Sequence, residues 1–212
     1  MHRKTEWWRG PSAYSRQQDL NLGMRPPLFR RCFILTQSLC QKDPWQVVRD
    51  AVGLGVDCVQ LREKEMSSAE MFTWGKELKV LTDQLRVPLI INDNVEVARA
   101  LHARGVHVGQ DDMHADDVRK LVGPEMWVGL STHNLEQVDE AAEFGVDYAG
   151  FGPVFASETK GYPQGLGPEY FAAALAIARV PLVAIGGIQD ETLRFIPEGC
   201  SIAQSSALCG LE

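Results

Sequence analysis

Gln60, Arg62 and Lys64 occupy alternate positions in Val59-Gln60-Leu61-Arg62-Glu63-Lys64, at the end of a run that starts at Val56. Side chains in a strand alternate faces, so this amide, guanidinium and ammonium share one side. Such a set suits an anion with several oxygens, because charged donors make the stronger hydrogen bonds to it. A solvated edge strand ending in charges is the plain alternative. Chemistry is favoured because other apolar runs end in equally polar sets: Asn92-Asp93, Gln110-Asp111-Asp112, Ser157 to Lys160, Gly186-Gly187 and Ser205-Ser206. Strand ends that all carry polar groups imply one common rim.

The elements behind those ends alternate in type. Strands are expected at Phe33 to Thr36, Val56 to Val59, Leu89 to Asn92, Val106 to Gly109, Trp127 to Leu130, Tyr148 to Phe151, Leu182 to Ile185 and Ser201 to Ala203. Helices are expected between them. Asp43-Pro44 opens one as cap and first helical residue. Ser67 with Glu70 offers a capping box for a helix that runs to about Leu85 and buries Met71, Leu78 and Leu81. Further helices are expected over Asn94 to Arg104, Ala115 to Val122, Asn134 to near Gly145, Pro168 to Ala178 and Glu191 to Ile196. Gly55-Val56-Asp57, Gly105-Val106-His107 and Gly145-Val146-Asp147 each end a helix and launch a strand, a weak internal repeat. Strand–helix alternation implies a parallel sheet, and eight strands with mostly short loops favour a closed (β/α)8 TIM barrel. A doubly wound sheet is the runner-up, but no Gly-x-Gly-x-x-Gly turn follows the first strand.

In such a barrel the polar sets fall where active sites lie. Asp93 and Asp112 sit on neighbouring loops and could hold a divalent ion that borrows phosphate oxygens; both also suit plain helix caps. Gly186-Gly187 and Ser205-Ser206 follow the seventh and eighth strands, the usual barrel phosphate position, where glycine lets backbone N–H groups approach oxygens. A simple turn is the alternative there. Residues 1–31 are polar and mixed, a leader with a helix expected over Ser15 to Leu22, and residues 32–212 form the barrel domain.

The bulk numbers narrow the partners. A formal net charge of −7 disfavours nucleic acid. Five cysteines without a Cys-x-x-Cys pair read as reduced thiols, and no run is long enough to span a membrane, so a cytoplasmic protein is expected.

Six motifs in order resemble the thiamine-phosphate synthase family: Gln60 to Lys64, Ile91-Asn92-Asp93, Val106 to Asp112, Ser131-Thr132-His133, Gly152-Pro153-Val154-Phe155 through Thr159-Lys160, and Ile185 to Ile188. The resemblance spans Phe33 to Leu208. It implies a barrel that joins an aminopyrimidine methyl diphosphate to a thiazole phosphate, releasing pyrophosphate with Mg²⁺. By the same resemblance Gln60, Arg62, Lys64 and Asn92 would hold the pyrimidine diphosphate, with Ser131 and Lys160 completing that pocket. Arg62, Lys64 and Lys160 would carry catalysis, and Asp93 and Asp112 would bind Mg²⁺. Ser157, Thr159, Gly187 and Ser206 would take the thiazole phosphate. His133 reads as a helix-start residue, and His107 lies beside the barrel mouth.

Some positions depart from the family pattern. Ser157 stands for the usual Thr, and Ser205 for an aliphatic residue. The loop from Lys160 to Gly167 looks short. The chain ends at Glu212, leaving no room for an eighth outer helix and predicting an exposed apolar patch. The leader or a second subunit, which would make a homo-oligomer, is expected to cover it; a truncated chain is the alternative. A thiazole tautomerase and a non-catalytic phosphate-binding barrel remain rival functions.

Overall fold

Short runs with alternating faces close on themselves here. The computed structural model of the chain describes residues 28–156 and 164–210. Its strands are β1 (Arg31–Leu35), β2 (Cys58–Leu61), β3 (Leu89–Asn92), β4 (Gly105–Val108), β5 (Trp127–Thr132), β6 (Tyr148–Phe151), β7 (Leu182–Ile185) and β8 (Ser201–Gln204). They pair in parallel and in sequence order, and β8 returns to β1 to complete a barrel. The helices are α1 (Pro44–Gly53), α2 (Ser68–Leu85), α3 (Val95–Ala100), α4 (Ala115–Val122), α5 (Leu135–Ala141), α6 (Pro168–Ile177) and α7 (Ser206–Cys209). None of the described helices is long and apolar enough to cross a membrane.

Local chemistry starts these helices where expected. The Asp43 carboxylate accepts from Gln46 N with Pro44 in the first turn, and Ser67 and Glu70 form the reciprocal capping box. Asn94 and Asn134 cap α3 and α5 through Val97 N and Gln137 N. Outward strand residues such as Phe33, Val59, Leu61, Ile91 and Val106 pack with the helices into one apolar layer. Inward residues Cys32, Ile34, Cys58, Ile90, Tyr148, Val183 and Ala203 fill the barrel in a second cluster. Phe29 belongs to that filling, edge-on to Tyr148 at 5.2 Å, although composition placed it in the leader. The expected helix over Ser15 to Leu22 lies outside the described residues.

Several expected boundaries shift; β2, for one, runs over Cys58–Leu61, two residues later than expected. α3 stops at Ala100, short of Arg104, because His102 turns left-handed at φ 49° and Ala103 N returns to Ala98 O. β5 runs on to Thr132 because Ser131 and Thr132 find partners in Gly150 and Phe151. The helix expected over Glu191 to Ile196 is only a 3-10 turn, Leu193–Phe195. Pro197 follows, and the residue before proline is driven out of helical backbone; Ile196 is extended at ψ 130°.

The seam between β8 and β1 differs from the apolar patch expected there. Phe33, Leu35 and Ile202 are buried, in one cluster with Ile188, Leu208 and Cys209. Their outward-facing neighbours Arg31 and Gln204 are polar and also buried. Arg31 Nε donates to Gln204 Oε1 at 2.7 Å, its Nη1 donates to Leu54 O at 3.1 Å, and Gln204 Nε2 donates to Ile188 O at 3.1 Å. Gln204→Leu therefore removes a partner from a buried cation and from a carbonyl. The expected cost is about 1.5–3 kcal/mol, the range for a hydrogen bond to a charged group. Denaturant titration reads it as a lower midpoint; an unchanged midpoint would mean that the amide holds nothing.

Candidate active site

All eight strands run in parallel, so their C-terminal ends lie on one rim. Gln60 and Asn92 stand just inside it, 5% and 8% exposed, on the inward faces of β2 and β3. Arg62, half-buried, and Lys64, exposed, follow on the loop after β2. That loop is set by its backbone: Arg62 N donates to Leu35 O at 2.9 Å, and Arg62 O accepts from Thr36 Oγ1 at 2.8 Å. The two cations stand at the strand end without a direct ion pair among the described residues.

Asp93 follows β3 in left-handed backbone, φ 63°, with its N–H on His107 O at 2.8 Å. Short polar side chains tolerate that region better than most. Asp112 comes from the loop after β4, where Gly109 N donates to its Oδ2 at 2.7 Å. The two carboxyls meet. Burial, then the hydrogen bond and charge of Asp112, push the Asp93 carboxyl up to about 6, while Lys64 and Arg62 pull it back. Arg62, Lys64, Asp93 and Asp112 thus form one electrostatic group. Beside it opens a cavity of about 330 Å³ lined by Glu63, Lys64, Met66, Asn92 and Asp93 among others.

Two crowded carboxylates want a shared proton or a cation between them. No cluster of three or more His, Cys, Asp or Glu side chains that could hold a metal exists among the described residues. A pair of carboxylates fits Mg²⁺ instead, which keeps several waters and takes phosphate oxygens from a substrate.

Ser131 sits on β5, facing inward. Its Oγ lies 2.9 Å from His107 Nε2, and His107 Nδ1 lies 3.0 Å from the buried Tyr148 hydroxyl. Gln110 Nε2 donates to Ser131 O at 2.6 Å. Gly129 makes this chain possible, since a Cβ there would collide with both the Tyr148 ring and His107 Nδ1. The Tyr148–His107–Ser131 chain was missed by sequence reasoning. Its only signal was that His107, Ser131 and two neighbouring glycines share the inward face. His133, by contrast, is structural: its Nδ1–H donates to Gly152 O at 2.6 Å.

Across the rim, Gly186 and Gly187 turn left-handed at φ 92° and 62°. A Cβ at Gly187 would collide with Ala156 O and come within 2.8 Å of Phe155 Cβ, so the loop after β6 starts directly against it. Register places Ile185 beside Ala203, which brings Gly187 and the Ser205-Ser206 turn to adjacent positions. Ser206 is exposed as the first residue of α7. Ser157, Thr159 and Lys160 lie outside the described residues. The ends of their loop are anchored on the rim by Val154 N to Ile185 O at 2.8 Å and Leu166 N to Pro153 O at 2.7 Å.

Comparison with known proteins decides the family. Residues 31–203 match the family model described as thiamine monophosphate synthase. The chain belongs to this family. It is 43% identical over 152 residues to a thiamine-phosphate synthase of Syntrophomonas wolfei, covering 71% of this chain and 73% of that protein. It is 38% identical over 169 residues to the thiamine-phosphate synthase of Shouchella clausii, 79% of each chain. Among solved structures, a thiamine phosphate pyrophosphorylase from Pyrococcus furiosus superposes with a TM-score of 0.78 at 31% identity, over 87% of this chain and 89% of that one. The thiamine monophosphate synthase match runs from the first residue of β1 to Ala203 in β8. Every candidate site residue except Ser206 therefore falls inside it.

Proposed function

We propose that this rim condenses 4-amino-2-methyl-5-hydroxymethylpyrimidine diphosphate with 4-methyl-5-(2-phosphoethyl)thiazole, giving thiamine phosphate and pyrophosphate. The observation that supports the reading is the gathering of two cations, Arg62 and Lys64, around the crowded pair Asp93 and Asp112. The diphosphate lies against Arg62 and Lys64, with Gln60 and Asn92 donating to it or to the pyrimidine from inside the mouth. The C–O bond breaks with its electron pair going to the leaving diphosphate, whose growing charge the two cations stabilise. The electron-rich aminopyrimidine bears the resulting positive charge, and the thiazole nitrogen closes on that carbon to form the C–N bond. Mg²⁺, when held by Asp93 and Asp112, supplies further positive charge to the leaving group. Ser131, oriented from below by His107, completes the pyrimidine pocket together with Lys160. Ser157, Thr159, Gly187 and Ser206 hold the thiazole phosphate, whose position sets the attacking nitrogen in line.

Incubation with both substrates and Mg²⁺ tests this. Thiamine phosphate and pyrophosphate are expected in equal amounts, and chelation of Mg²⁺ is expected to abolish their formation. Isomerised thiazole as the sole product would replace the reading with a tautomerase. Tight binding of either phosphate compound without conversion would make the barrel a non-catalytic binder.

A further inference from the structure

The barrel closes where β8 meets β1, and two thiols lie across that closure. Cys40 follows the 3-10 turn Gln37–Leu39 after β1 and is half-buried; Cys209 ends α7 and is buried. Both sulfurs approach the same carbonyl, Thr36 O, at 3.6 Å and 4.0 Å. The backbones are joined beside them, Gln41 N–H donating to Cys209 O at 3.3 Å.

We infer that Cys40 and Cys209 form a reversible disulfide under oxidising conditions, a covalent strap across the β8–β1 closure. Among the described residues the outer elements here are short, a 3-10 turn after β7 and a four-residue helix after β8. The oxidant is hydrogen peroxide. Cys40, the more exposed sulfur, attacks a peroxide oxygen; the O–O bond breaks, leaving a sulfenic acid and one water. Cys209 sulfur then displaces hydroxide from Cys40 sulfur, the S–S bond forms, and the hydroxide leaves with the thiol proton as a second water. Two electrons pass from the thiols to the peroxide. Burial, with Cys209 as the next cause, pushes the Cys40 thiol up to about 12, so thiolate is scarce at neutral pH and the strap forms slowly. Cys32 and Cys58 are also register partners, on β1 and β2, but both lie buried inside the barrel.

The test is prolonged exposure of the full chain to hydrogen peroxide, followed by digestion without reductant and mass spectrometry. A linked Cys40–Cys209 peptide pair, two hydrogens lighter than the sum, is expected. It should come with a rise in melting temperature of roughly 5–10 °C that dithiothreitol reverses. Cys40→Ser, at a half-exposed site, should fold and show neither change. Recovery of both cysteines as free thiols after oxidation, or oxidation of Cys40 to sulfinic acid with no linked pair, overturns the inference. So does the same thermal shift in Cys40→Ser. Cys209→Ala is the poorer variant because that side chain is fully buried, and reversal by dithiothreitol in the unaltered chain needs no variant.

Discussion

Arg62→Ala and Lys64→Ala are each expected to lower turnover by about 10²- to 10³-fold while leaving the melting temperature of the ligand-free protein almost unchanged. The size follows from the loss of one preorganised charge aimed at a leaving group, worth about 2.7–4 kcal/mol in comparable sites. The indifference of stability follows from what holds the loop. Arg62 contributes its N–H to Leu35 O and its carbonyl to Thr36 Oγ1, and alanine keeps both. Neither charged head forms an ion pair with a described residue; each only eases the charge of the half-buried Asp93 from a distance. Surface changes of that kind usually stay within about 0.5 kcal/mol. Arg62→Lys separates charge from shape: an ammonium keeps the field but loses the planar fork, so activity between wild type and Arg62→Ala is expected. Steady-state kinetics with a thermal melt on each variant decides the matter. If either alanine variant melts several degrees lower without ligand, the side chain is holding the fold rather than the diphosphate.

What the chain discloses by itself is local. Asp43-Pro44, the Ser67–Glu70 box and the Asn94 and Asn134 caps act within a few residues, so they could be read before any fold was known. The rim was legible for a related reason: period-two strands put their last polar residues at one end of a parallel barrel. Contacts between distant strands carry no such local mark. His107 meets Tyr148 and Ser131 across two sheet neighbours, and Arg31 finds Gln204 at the far end of the chain. Cys40 and Cys209 are likewise brought together only by closure of the barrel. Counting cysteines marked them as reduced, and nothing in their spacing pairs them. The left-handed turn at Asp93 is invisible for another reason, since aspartate before a helix is ordinarily read as a cap.

That turn leads to the second large effect. Asp93→Asn is expected to raise the stability of the metal-free protein at neutral pH while removing most of its activity. The Asp93 carboxyl is held up to about 6 against an ordinary 3.8, by burial first and then by Asp112. A carboxyl raised in the folded state costs the fold when ionised. The cost is absent below 3.8, grows between 3.8 and about 6, and is fully present at neutral pH. Two units would correspond to about 3 kcal/mol at 1.36 kcal/mol each, and contact with solvent brings this to about 1 kcal/mol. Asparagine removes the charge, keeps an oxygen near Asp112 and is at ease at φ 63°, since it is among the residues that visit left-handed backbone. A higher melting temperature at pH 7 is therefore expected, with the gain fading as pH falls from about 6 to 3.8 and gone below that. The same amide leaves one carboxylate where the proposed Mg²⁺ site needs two. Addition of Mg²⁺ should no longer raise the melting temperature, and turnover should fall by at least about 10²-fold. If Asp93 were merely a turn residue ahead of the Asn94 cap, the outcome reverses: asparagine suits that turn as well, so stability and activity would both stay near wild type.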